Sequence, residues 1–139
     1  MLQRCGTSTC RGSFLNGTEP INQWLDAYQA AWSTDDANAV AALFTEDARY
    51  FATPFADPHI GRDAIAKWWV EQGESAMTWA FEGEVIASTE RRHVIRGTTK
   101  YADGLTTLGA AETFHNIWIV TLEENGEASE FVEYWMLEQ

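Results

Sequence analysis

The chain has 139 residues, 45% hydrophobic and 13% aromatic, with 21 acidic against 9 basic side chains and a formal net charge of -12. That length fits one domain able to bury a core without disulfides or metal. The charge speaks against nucleic acid, whose phosphates need clustered Lys and Arg, and against an anionic membrane surface; it leaves solubility, or a site for neutral or cationic small molecules.

Residues 1–18, MLQRCGTSTCRGSFLNGT, are rich in Gly, Ser and Thr without periodicity and read as a mobile extension ahead of a single domain over 19–139. Cys5 and Cys10 form neither a zinc-ligand pair nor a CxxC motif. No apolar run follows Met1 and no stretch approaches a membrane span, so free thiols in a cytoplasmic protein are expected.

A helix is predicted from about Glu19 to Ser33, with Thr18 as cap and Pro20 in the first turn. Ile21, Trp24, Leu25, Tyr28 and Trp32 form one continuous stripe along it. Asp35 or Asp36 caps a second helix, which carries Val40, Leu43 and Phe44 and ends at Thr45. A short strand over Ala48 to Thr53 leads into the loop PFADPHIG, and Gly61 precedes a third helix with Ile65, Trp68 and Trp69 toward the core. Met77 to Ser88, His93 to Tyr101, Thr106 to Leu122 and Ala128 to Leu137 read as strands, rich in Val, Ile, Thr and aromatics. Turn signals at Ala102-Asp103-Gly104 and Glu124-Asn125-Gly126 join the last three as hairpins. The pattern is α+β, with helices packed on a curved, mostly antiparallel sheet.

Glu133 is the strongest pointer to function. In EFVEYWML it shares a strand face with Phe131, Trp135 and Leu137, while Val132, Tyr134 and Met136 take the other. A carboxylate held between aromatic rings needs a cation, a hydrogen-bond network or a chemical role. The plain alternative is a strand edge where Glu133 reaches water. Alternation turns Arg96 and Thr98 to one face, and Asn116 and Trp118 to one face. If Glu133 points inward, Arg96 is its natural cation; that pair serves a water-activating base, a ligand anchor or structure alone. Tyr28 and Tyr50 offer hydroxyls, and Trp32, Trp69, Trp118 and Trp135 with Phe131 offer walls for a flat or apolar molecule. His115 has the parity opposite to Asn116 and faces away. No metal-ligand spacing, nucleophile elbow, phosphate loop or dinucleotide fingerprint is present, so no metal or cofactor is expected.

The run ALFTEDARYFATPFADPHIGRDAI, a helix with paired aromatics and the closing ENGEASEFVEYWML resemble the SnoaL-like branch of the NTF2-like superfamily over residues 19 to 139. The resemblance implies a cone-shaped α+β barrel enclosing an apolar pocket, often in a homodimer formed through the sheet. That superfamily holds isomerases, hydrolases, dehydratases and non-catalytic binders on one scaffold. Against limonene epoxide hydrolases, Tyr50, Arg96 and Glu133 match the tyrosine, arginine and water-activating carboxylate. Ala52 and Thr98 stand where those enzymes have Asn and the acid Asp. Against ketosteroid isomerases, Tyr28 matches the helix tyrosine and Asn116 falls near the oxyanion Asp, while Ala52 or Thr53 stands at the base position. Two functions are therefore expected in parallel. One is a cofactor-independent isomerase, hydrolase or dehydratase acting on a small apolar or aromatic molecule through Glu133. The other is a non-catalytic ligand-binding or dimerisation module, with Ile117, Ile119 and Thr121 as the apolar dimer surface.

Overall fold

The computed structural model describes residues 12–34 and 36–139. The expected extension over 1–18, with Cys5 and Cys10, lies mostly outside the described residues, as does Asp35. Helix α1 spans Gly12–Trp32, so it begins upstream of the expected Glu19 and carries Pro20 inside it. Proline has a helical φ but no donor, and the ladder misses a bond there without ending. Ile21, Trp24, Leu25 and Tyr28 are buried as the stripe requires. The Trp24 indole donates to the Leu43 carbonyl at 2.9 Å and clamps α1 to the chain entering the sheet.

Asp36 caps the short helix α2, Ala37–Ala41, accepting from the N–H groups of Asn38 at 2.9 Å and Ala39 at 3.4 Å. This helix stops before the expected Thr45 because β1 starts early, at Phe44–Phe51. Parallel pairing aligns Phe44 with Ala128, whose N–H reaches the Leu43 carbonyl at 2.8 Å. Within the expected loop, His59–Ile60 form a two-residue strand β2 against β1. Helix α3, Arg62–Gln72, ends at Gly73 in the left-handed region (φ 67°), and a single 3-10 turn, Glu74–Ala76, follows.

Four strands complete the chain: β3 Trp79–Ser88, β4 Arg92–Tyr101, β5 Glu112–Leu122 and β6 Ala128–Leu137. The strand expected from Thr106 begins only at Glu112. Residues 105 and 106 are instead drawn to the Glu112 carboxylate, which accepts from both their N–H groups and from the Thr106 hydroxyl. Those bonds, the Thr106 hydroxyl first, hold Glu112 down at about 2. The sheet order is β2-β1-β6-β5-β4-β3, antiparallel except for β1 beside β6. It is curved and unclosed, and the helices of the described residues pack on one face, as the α+β reading expects.

One close approach fixes the floor of the sheet. Gly83 and Gly97 are cross-strand partners, and the Phe81 ring lies flat across both. Phe81 in turn stacks on Trp118, centroids 4.7 Å apart and 3° from parallel. A Cβ at Gly97 would fall 2.4 Å from that ring and 3.2 Å from the Glu82 carbonyl. Gly97→Ala is therefore expected to lift Phe81 off Trp118 and destabilise the fold by about 1–3 kcal/mol, the usual range for overpacking. Denaturant unfolding measures it; an unchanged midpoint would mean the ring moves aside freely.

Candidate functional site

Strand β1 pairs with β6 only as far as Phe51 beside Val132. The next β6 residue, Glu133, lies just past the end of that pairing, and a cavity of about 270 Å³ is lined there by strand and helix residues. Alternation turns Phe131, Glu133 and Trp135 toward the helices and Val132, Tyr134 and Met136 away, as read from the sequence. Trp118 lies directly opposite Glu133 on β5, and Asn116 lies one diagonal step away. Both donate to the same carboxylate oxygen: Asn116 Nδ2 to Glu133 Oε2 at 2.8 Å and Trp118 Nε1 at 3.1 Å. Asn116 is itself fixed by the Thr99 hydroxyl, which donates to Oδ1 at 2.9 Å. The amide therefore has to present its NH2 to Glu133.

Burial pushes the Glu133 carboxyl up from 4.5 to about 7; the Trp118 and Asn116 bonds pull against it, and the charge of Glu74 adds to it. No cation among the described residues pairs with it. The expected Arg96–Glu133 pair is not formed, because Arg96 stands on the outer face of β4 and bonds Glu84 at 2.7 Å across the β3–β4 ladder. That pair is solvated, with the Arg96 side chain 62% exposed. Thr98 shares this outer face and is likewise outside the cavity. The parity of β4 was legible, since Arg92, Arg96 and Lys100 alternate with His93, Ile95 and Tyr101. A row of charges marks the solvated side.

The other expected residues converge. Tyr28, Tyr50, Asn116, Trp32, Trp69, Trp118 and Trp135 all line the cavity with Glu133. Phe131 lies behind them, fully buried and stacked under Tyr50 at 4.5 Å and Tyr28 at 5.5 Å. The Tyr28 and Tyr50 hydroxyls are 3.2 Å apart, and Trp69 Nε1 donates to the Tyr50 oxygen at 3.3 Å. Burial first, then each other's charge or that of Glu133, pushes both phenols up, so both remain neutral donors. Two O–H groups share one mutual bond, which leaves one hydroxyl proton for a ligand.

Sequence reasoning missed Glu74, Thr99 and Tyr101. Glu74 sits in the turn after α3, where Glu74 Oε1 accepts from Tyr101 Oη at 2.7 Å and Trp32 Nε1 at 3.2 Å. Nothing in GESA distinguishes it from a solvated glutamate. Among the described residues no grouping of His, Cys, Asp and Glu suits a metal ion, and no helix is long and apolar enough to cross a membrane. A wider hollow of about 880 Å³ lies on the opposite side of the sheet, bounded by Phe55, Arg96, Thr98, Ile117, Tyr134 and Met136. The surface expected for dimerisation, Ile117, Ile119 and Thr121, shares that face, and His115 points there too, bonded to Glu138 at 2.8 Å. It holds no buried titratable group, so the inner cavity is the site of interest.

The family described as a SnoaL-like domain matches residues 25–131. No curated protein matches the chain. Among solved structures, the chain is similar to the epoxide hydrolase/cyclase-like enzyme SalBIII of pyran ring formation in the polyether salinomycin. That match has 14% identity and a TM-score of 0.68, covering 88% of this chain and 92% of the other. A protein with a cystatin-like fold from Silicibacter pomeroyi matches at 17% identity and TM-score 0.61, over 86% and 77% of the two chains. A ketosteroid isomerase-like protein from Erwinia carotovora atroseptica matches at 19% and 0.61, over 84% and 93%. At these identities the likeness shows a common fold.

Proposed function

Because the chain belongs to the SnoaL-like domain family, we propose that it is a cofactor-independent acid–base enzyme acting on a small, largely apolar molecule, with Glu133 moving the proton. The observation that carries this reading is a carboxyl group poised near 7 with one oxygen anchored and Oε1 unbonded among the described residues. A general base works best with its pKa near the working pH, where it is both available and basic enough. The spare hydroxyl proton of the Tyr28–Tyr50 pair would donate to a substrate oxygen on which negative charge develops. Aromatic walls exclude water and strengthen both interactions. Two of the similar folds are named cyclase-like and isomerase-like, which supports reading this scaffold as one that hosts chemistry.

A substrate-independent test exists. Ring opening of 5-nitrobenzisoxazole, a flat aromatic small enough for the cavity, needs only a base. The base takes the carbon-bound proton, the N–O bond breaks and 2-cyano-4-nitrophenolate leaves. The chain is expected to accelerate this with a rate rising through pH 7, and Glu133→Gln is expected to lose about 100-fold or more. Equal rates for the two proteins would contradict the proposal.

A further inference from the structure

The cavity holds two carboxylates built on one plan. Glu133 Oε2 is gripped by Asn116 and Trp118, and Glu74 Oε1 by Trp32 and Tyr101. In each, the second oxygen has no hydrogen-bond partner among the described residues. Among the described residues no Lys, Arg or His lines the cavity, although Arg side chains satisfy surface carboxylates elsewhere on this chain. The four donors to these carboxylates among the described residues are neutral and leave the negative charge uncancelled. Glu133 is partly buried in the cavity wall, and the fields of Glu74 and Glu133 both reach Tyr28, Tyr50 and Tyr101. The two acids therefore act on one enclosed space. Much of the rest of the wall is aromatic, with Trp32, Trp68, Trp69, Trp118, Trp135 and Tyr101 lining it beside aliphatic and neutral polar side chains.

An anion or an acidic ligand is repelled from such a space. A neutral apolar ligand fills it but leaves two carboxylate oxygens desolvated without partners, which opposes binding. A cation satisfies every feature at once, since aromatic faces and carboxylates both attract positive charge. We propose that the cavity selects a cationic ligand, an amine or quaternary ammonium on a flat apolar body, with its charge set between Glu74 and Glu133. This rests on the reading of the cavity as the functional site and narrows the substrate to a positively charged class.

Selectivity should depend on pH with a definite sign. Titratable groups facing Glu133 are Glu74 from the turn after α3, Tyr28 from α1, Tyr50 from β1 and Tyr101 from β4. All three phenols are pushed upward, so none ionises near neutrality. Glu133 gains its charge as pH rises through about 7, and attraction for a cation grows over that interval.

Phenyltrimethylammonium and tert-butylbenzene have the same shape and differ in charge. Each is titrated into the full chain while tryptophan fluorescence is followed, at pH 5.5 and 8.5. The cation is expected to bind at least tenfold tighter at pH 8.5, with a smaller preference at pH 5.5. Glu133→Gln should remove the pH dependence, and Glu74→Gln should lower the preference at both pH values; circular dichroism verifies that both variants are folded. Equal or tighter binding of tert-butylbenzene at pH 8.5 overturns the inference, and so does a failure of both molecules to bind. The elimination test uses a neutral reagent. Base catalysis without cation preference would remove this inference alone, while cation preference without base catalysis would remove the proposed chemistry and leave this one standing.

Discussion

Glu133→Gln is expected to raise the stability of the protein above pH 7 while abolishing the proposed acid–base activity. The carboxyl titrates at about 7 in the folded chain against the ordinary 4.5, so the folded state retains a proton that the unfolded state has released. Between those two values stability falls as pH rises, and above 7 the full penalty of about 3 kcal/mol is present. Below 4.5 both states are protonated and the penalty vanishes. Glutamine avoids it at every pH. Its carbonyl oxygen still accepts from Asn116 and Trp118, and its amide takes the place of the unbonded oxygen. Thermal melts should therefore show the variant higher by on the order of 10 °C at pH 8 and level with the parent near pH 4.5. A variant less stable than the parent at pH 8 would mean the carboxylate is solvated or paired with a cation.

Phe131→Ala is expected to have the largest effect on the fold. The ring is fully buried, stacked under Tyr50 and Tyr28 and packed against Trp24 and Trp118. Truncation leaves a void under the whole tyrosine pair, and a buried Phe→Ala change costs about 3–5 kcal/mol. The hydroxyls would lose the stacked ring that sets their 3.2 Å contact. Denaturant unfolding should show a lower midpoint with an unchanged slope, and the elimination rate should fall even where the variant is folded. A midpoint within about 1 kcal/mol of the parent would mean neighbouring rings collapse into the space.

The inward face of the last strand was legible in the sequence because alternation alone decides it, and Phe131, Glu133 and Trp135 point where the pattern puts them. Tyr28 and Trp32 are legible from helical spacing in α1 and Trp69 from the paired aromatics of α3, while Tyr50, Trp118 and Trp135 come from strands. Arg96 departs from the expected pairing for a chemical reason: a buried carboxylate favours a cation, but the charged row Arg92, Arg96 and Lys100 marks the solvated face of β4. The fold solved the problem with neutral donors, and pairing register rather than sequence proximity supplies them. Glu74 was hidden because a 3-10 turn delivers it from an unremarkable loop. The start of β5 is not legible because Thr106 has strand propensity, yet its N–H and hydroxyl are captured by Glu112 six residues later.

The most direct test is a carboxyl-carbon NMR titration of the isotopically labelled chain, with the Glu133 signal assigned by its loss in Glu133→Gln. A midpoint near 7 is expected of a carboxyl group sunk among indole and phenol rings. A midpoint near 4.5 would place it in ordinary contact with water and remove the basis for both the chemistry and the charge selectivity.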